Sequence, residues 1–190
     1  MPINQLTVFP LVKANLVGLS FSGFTVDQIA AGLASGICNA LLLSTSVVTQ
    51  DTGSLGVGYG VGSAFLKSEF VTNLLLASLP AESIGGVSSV LLANAVGMSI
   101  SGAVSCGVVN TTSPLVGSGV GIGSIVPTSS LLYFNEAFAS VGMSGLAAVS
   151  FARAISIAFD SSMPSTFLKV DIMGSGSPLV ALGIGTGSIS

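Results

Sequence analysis

The sequence predicts an α+β chain of three tandem units of about 63 residues. Each is a helical hairpin followed by a short strand, a turn and a glycine-rich strand, the units being stacked or set about a pseudo-threefold. Three observations lead there. Gly-x-Gly-x-Gly-Ser occurs three times, as Gly58-Tyr59-Gly60-Val61-Gly62-Ser63, Gly119-Val120-Gly121-Ile122-Gly123-Ser124 and Gly183-Ile184-Gly185-Thr186-Gly187-Ser188, with starts 61 and 64 residues apart. A turn-like Ser54-Leu55, Ser113-Pro114-Leu115 or Ser177-Pro178-Leu179 precedes each copy. A second mark, Ala34-Ser35-Gly36-Ile37, Ala93-Asn94-Ala95-Val96 and Ala152-Arg153-Ala154-Ile155, recurs 59 residues apart both times. The units are 1–63, 64–127 and 128–190.

In unit 1, Val8, Leu11, Val12, Leu16 and Leu19 fall at helical spacing over Leu6 to Leu19, with Pro10 tolerable only in a first turn. Thr25-Val26-Asp27-Gln28 reads as a capping box with Thr25 at the N-cap. The second helix carries Ile29, Leu33, Ile37 and Leu41 on one stripe and the small residues Ala30, Ala31, Ala34 and Ser35 on the other, which lets a neighbouring helix approach. Thr45, Val47, Val48 and Thr49 are β-branched and favour a strand, and Asp51 to Ser54 reads as a turn. Unit 2 gives a helix from Lys67 to Leu79, ending before Pro80, and a second capped by Ser83. Strand follows at Ala103-Val104 and Val108-Val109, with a turn over Asn110 to Pro114. Unit 3 gives a helix over Leu131 to Val141, a second capped by Ser144, a strand over Phe167 to Ile172 and a turn from Gly174 to Pro178.

Alternating glycines in an extended chain put Gly58, Gly60, Gly62, Gly119, Gly121, Gly123, Gly183, Gly185 and Gly187 on one face. Tyr59/Val61, Val120/Ile122 and Ile184/Thr186 lie on the other. A bare glycine face admits another backbone closely. These nine glycines are therefore the candidate assembly contacts, pairing with a strand from another unit or, by strand addition, from another subunit. A flexible linker is the plainer alternative. Phosphate binding fits poorly: a dinucleotide fingerprint needs Gly-x-Gly-x-x-Gly, and a P-loop needs Gly-Lys-Ser/Thr.

Composition narrows function. Charged residues are 6% of the chain against about 25% in ordinary domains, and the net charge of −3 includes no basic patch, which argues against nucleic acid. No catalytic residues, cofactor, metal or small-molecule substrate are expected: there is no His, the seven carboxylates are scattered, and Cys38 and Cys106 lack ligand spacing. Asp51 and Asp171 take corresponding places, with Asn110 between them, as turn formers do. Asn110-Thr111-Thr112 matches a glycosylation sequon and reads as a polar turn. The N-terminus lacks the basic start of a signal peptide.

So little charge leaves an apolar surface to be covered by lipid or by other subunits. The 53 residues from Ser83 to Asn135 carry no charge, yet polar residues interrupt every apolar run and basic flanks are missing, which disfavours membrane spans. The expected role is a non-enzymatic component of a large assembly, and the alternative is a small membrane-inserted protein such as a pore or lysis factor. Helical hairpins each ending in a turn and a Gly-x-Gly-x-Gly-Ser run resemble a group of virion structural proteins of contractile-tailed bacteriophages. That resemblance implies a place in the tail, neck or baseplate, and a virion location after synthesis in the host cytoplasm. It implies partnership with other virion proteins and copies of itself, and no catalytic residue.

Overall fold

A computed structural model describes residues 5–54, 57–105, 107–113, 118–126, 129–163, 168–177 and 180–189. Among them the chain forms helices α1 (Gln5–Gly18), α2 (Phe24–Ser44), α3 (Ser68–Ala81), α4 (Val87–Ser105), α5 (Leu131–Ser140) and α6 (Leu146–Ser162). The strands are β1 (Ser46–Ser54), β2 (Val57–Phe65), β3 (Val108–Ser113), β4 (Ser118–Val126), β5 (Leu168–Ser177) and β6 (Val180–Ile189). The class is mixed helix and strand, as the alternation of helical and β-branched stretches predicts.

The strands close into a barrel in chain order, every neighbouring pair antiparallel, with β6 returning to β1. Helical hairpins α3–α4 and α5–α6 make the connections at one end of the barrel; the β1–β2, β3–β4 and β5–β6 connections are at the other. The helices also close on themselves: each packs against its neighbours in the chain, and α6 packs against α1. A ring of helices thus sits on one end of a barrel, with α2 touching β6 and α4 touching β2.

Periodicity decides which faces meet. On α1, α3 and α5 the inward residues are Val8, Val12 and Leu16; Val71, Leu75 and Leu79; and Phe134 and Phe138, all essentially fully buried. Of the stripe predicted on α2, Leu33, Ile37 and Leu41 are buried and Ile29 is half-buried, joined by the buried Val96, Ile100 and Val104 on α4 and Ile155 and Phe159 on α6. Each such side chain contributes about 1.5–3 kcal/mol of transfer free energy. The residues of α2 that meet α3 closely are Gly32 and Gly36, which the predicted small face of Ala30, Ala31, Ala34 and Ser35 did not include. A Cβ on Gly36 would stand 2.6 Å from Leu75 Cδ2, one on Gly32 2.9 Å from Leu79 Cδ2, and Ser78 Oγ donates to the Gly32 carbonyl at 2.8 Å.

Several local expectations are corrected. Pro10 lies beyond the first turn of α1, and Pro80 lies inside α3. Both are exposed, so water reaches the carbonyls they leave unbonded while the buried stripe holds each helix. Thr25, Ser83 and Ser144 are not N-caps: α2, α4 and α6 begin after Gly23, Gly86 and Gly145. Ala103 and Val104 are buried in α4 rather than in a strand. Asp51–Ser54, Asn110–Ser113 and Gly174–Ser177 are strand rather than turn, because each pairs on the barrel. Pro114, Phe167 and Pro178 lie outside the described residues.

Candidate assembly surface

Among the described residues β2 and β6 are paired on both edges along their glycine runs, and β4 is paired with β5 from Ser118 to Gly123 and with β3 from Ile122 to Val126. Gly58 faces Gly53 and Ser113, Gly60 faces Asp51 and Thr111, and Gly62 faces Thr49 and Val109. Gly119, Gly121 and Gly123 face Ile172, Val170 and Leu168 of β5, with Gly123 also facing Thr111. Gly183, Gly185 and Gly187 face Asp51, Thr49 and Val47 on one side and Gly174, Ile172 and Val170 on the other. Where both edges are paired within the chain, no edge is left for strand addition from another subunit. Of the two partners expected for the nine glycines, another part of the chain or another subunit, the strand pairing supplies the first.

Along β2 the alternation is as expected. Gly60 and Ala64 are buried, while Tyr59, Val61 and Phe65 are 62%, 60% and 51% exposed. Val47, Thr49 and Val109 are the buried partners across from glycine or alanine. A Cβ on Gly62 would collide with the Val48 carbonyl and lie 2.6 Å from Thr49 Cα. Asp51 and Asp171 do not share a place: Asp51 is opposite Gly60 and Gly183, Asp171 opposite Val120 and Thr186.

The helix hairpins show a site that the capping argument missed. At the end of α1 the Ser20 N–H donates to the Val17 carbonyl and the Phe21 N–H to that of Leu16, a Schellman closure with Ser20 at φ 70°. The end of α3 does the same through Ser83 to Pro80 and Ile84 to Leu79, with Ser83 at φ 64°. The end of α5 repeats it through Gly142 to Ala139 and Met143 to Phe138, with Gly142 at φ 82°. Three residues later come Gly23, Gly86 and Gly145 at φ 99°, 86° and 92°. The next residue, the first of the returning helix, is a bare apolar side chain each time: Phe24, Val87 and Leu146 are 77%, 77% and 85% exposed. The signal was in the sequence as Ser22-Gly23-Phe24, Gly85-Gly86-Val87 and Ser144-Gly145-Leu146.

Little around these tips is equipped for chemistry. No group of three His, Cys, Asp or Glu that could hold a metal occurs among the described residues. Asp27 pairs with Lys13 at 2.9 Å, joining α2 to α1, and Asp160 Oδ2 accepts the Ser130 N–H at 3.3 Å. Cys38 is buried, and desolvation raises its thiol from the ordinary 9.0 to about 11, which keeps it protonated and unreactive near neutral pH. The cavities are open clefts. One of about 560 Å³ lies among Ser68, Thr72, Asn94 and Met98, and an apolar one of about 430 Å³ lies between Phe21, Met143 and Phe151. Comparison with known families, characterised proteins and solved structures finds no match to this chain.

Proposed function

We propose that this chain is a non-enzymatic structural subunit of a large protein assembly, built from three fused copies of one helix–helix–strand–strand unit. Units 1–63, 64–127 and 128–190, with the first boundary moved to the end of β2 at Phe65, each contribute a hairpin to the ring and two strands to the barrel. Equal burial supports the unit reading. Counted from Gly23, Gly86 and Gly145, the buried positions coincide as Ala30, Ala93 and Ala152; Leu33, Val96 and Ile155; Ile37, Ile100 and Phe159; and Leu41, Val104 and Met163. This register matches Ala93 and Ala152 to Ala30, one helical turn before Ala34.

The observation that carries the assembly reading is the exposure of Phe24, Val87 and Leu146 at one place in all three hairpins, on a surface with few charges. A monomer in water gains nothing from such a crown, and a covering partner removes it from solvent. The virion of a contractile-tailed bacteriophage, in its tail, neck or baseplate, remains the proposed setting, with other virion proteins and further copies of this chain as neighbours. Membrane insertion is the second reading. It is favoured by α2 and α4, which are long and apolar enough to span, although 56% of each 18-residue window is buried inside the fold. Glu136 and Arg153, exposed midway along α5 and α6, count against it, since a charge at mid-bilayer costs about 2.5–3.5 kcal/mol.

The test is sedimentation of the native source with and without detergent, tracking this chain by mass spectrometry beside a Phe24→Ser, Val87→Ser, Leu146→Ser variant. The expected result is native chain in a large detergent-resistant particle and a variant of unchanged circular dichroism left outside it. Native chain found only with lipid, or only as free monomer, overturns the proposal.

A further inference from the structure

We infer that the seam where α6 meets α1 and β6 meets β1 is an exchange interface that accepts the first unit of a second copy of this chain. The inference rests on the three-unit reading. Unit 1 meets unit 2 through α2·α3 and β2·β3, unit 2 meets unit 3 through α4·α5 and β4·β5, and unit 3 meets unit 1 through α6·α1 and β6·β1. These are three versions of one interface, antiparallel at the strands each time. Only the last carries no covalent connection between its halves.

A first unit that leaves its own chain gives up the seam and the α2·α3, β2·β3 contact. It regains both on a second copy that has released its own first unit. The reciprocal dimer therefore holds the contacts between units of two closed monomers, and what separates the two states is association entropy and the contacts of the connector itself. The connector is short: only Leu66 and Lys67 lie between β2 and α3, and Leu66 is buried with its carbonyl accepting from Ser101 Oγ. Lys67 is already extended, at φ −79° and ψ 128°, so the connector can pass to a second copy without first uncoiling.

The full chain is unfolded and refolded at low and at high protein concentration, and its mass is read by size exclusion with light scattering. A dimer fraction that grows with refolding concentration, and persists on dilution, is expected. A seam-locked chain, Val48→Cys with Thr186→Cys in a Cys38→Ala, Cys106→Ala background, joins two exposed residues that face each other across β1 and β6. Oxidised before unfolding, it refolds only to monomer; reduced, it dimerises as the native chain does. Native chain that is monomeric at every concentration, or a dimer equally abundant with the seam locked, overturns the inference. A circular permutant beginning at Ser68, with the original termini joined, separates this from the reading beneath it. If the permutant folds and the native chain never dimerises, exchange alone falls; if it cannot fold, the three-unit reading falls as well.

Discussion

Backbone strain at the hairpins offers a graded test of the three equivalent turns. Gly23 has φ 99° and ψ 174°, and Gly145 has φ 92° and ψ 173°. That region is essentially reserved for glycine, and a side chain forced into it costs about 1–3 kcal/mol. A Cβ at Gly23, Gly86 or Gly145 meets nothing within 4 Å, so the cost is conformational with no steric part. Alanine at each is therefore expected to lose about 2 kcal/mol, which for a chain of this size lowers Tm by roughly 4–8 °C. Three residues earlier the sign reverses. Ser20 and Ser83 already occupy left-handed backbone where the α5–α6 turn has Gly142. Ser20→Gly and Ser83→Gly are expected to gain up to about 1 kcal/mol, less the extra entropy of an unfolded glycine, while Gly142→Ser loses a similar amount. Thermal and urea denaturation followed by circular dichroism reads all six variants. Alanine at Gly23 or Gly145 costing under about 0.5 kcal/mol, or glycine at Ser20 or Ser83 destabilising the fold, would refute the turn geometry. Costs that differ severalfold among the three glycines would refute their equivalence.

Two further outcomes follow from the barrel and from the buried thiol. Gly62→Ala is expected to cost more than about 3 kcal/mol, because both colliding groups, the Val48 carbonyl and Thr49 Cα, belong to backbone that the barrel holds in place. Gly18→Ala, with nothing within 4 Å, is its control and should be neutral or stabilising in the same melts. Cys38 makes stability depend on alkali: its folded pKa is raised, so the contribution is intact below pH 9.0 and is lost as pH rises toward about 11. The loss amounts to about 2–3 kcal/mol. A Cys38→Ala chain whose stability declines with pH as steeply as the native chain over that window would contradict it.

What the sequence disclosed, and what it withheld, divides along physical lines. Periodicity disclosed the buried stripes Leu33, Ile37, Leu41 and Val12, Leu16, since burial of one helical face leaves its mark at every turn. It also disclosed the alternation of Gly60 with Tyr59 and Val61. The helix starts were misplaced for one shared reason: Thr25, Ser83 and Ser144 have the side chains of caps, but backbone Schellman bonds and a glycine close these turns without them. Nothing in serine's ordinary preferences marks Ser20 or Ser83 for positive φ. Asp51-Thr52-Gly53-Ser54 has turn composition and is strand, because pairing on both flanks outweighs local preference. The close α2–α3 contact was legible and passed over: Gly32 and Gly36 lie one turn apart on an otherwise apolar helix.

The barrel also separates what the fold requires from what it leaves open. Eight strands enclose an interior just wide enough for side chains, and six enclose less. The solution is alternation: Val47, Thr49 and Val109 on odd strands fill the space, and the glycines of β2 and β6 stand opposite them. A one-residue slip would drive Tyr59 and Val61 into that space, so the glycine run of β2 fixes the register of that strand. Geometry therefore accounts for Gly60 and Gly62 and makes no demand on the outward side chains beside them. Ser, Thr or Lys would serve at Tyr59, Val61 and Phe65 as well as the residues found there. The same holds at the hairpins, where the apolar contact of the Schellman turn belongs to Phe21, Ile84 and Met143, and Phe24, Val87 and Leu146 are spare. Apolar residues where folding does not need them, at one place in three turns, are what a covering neighbour would select, and for that reason the tips, more than the glycines, are the place to look for the partner.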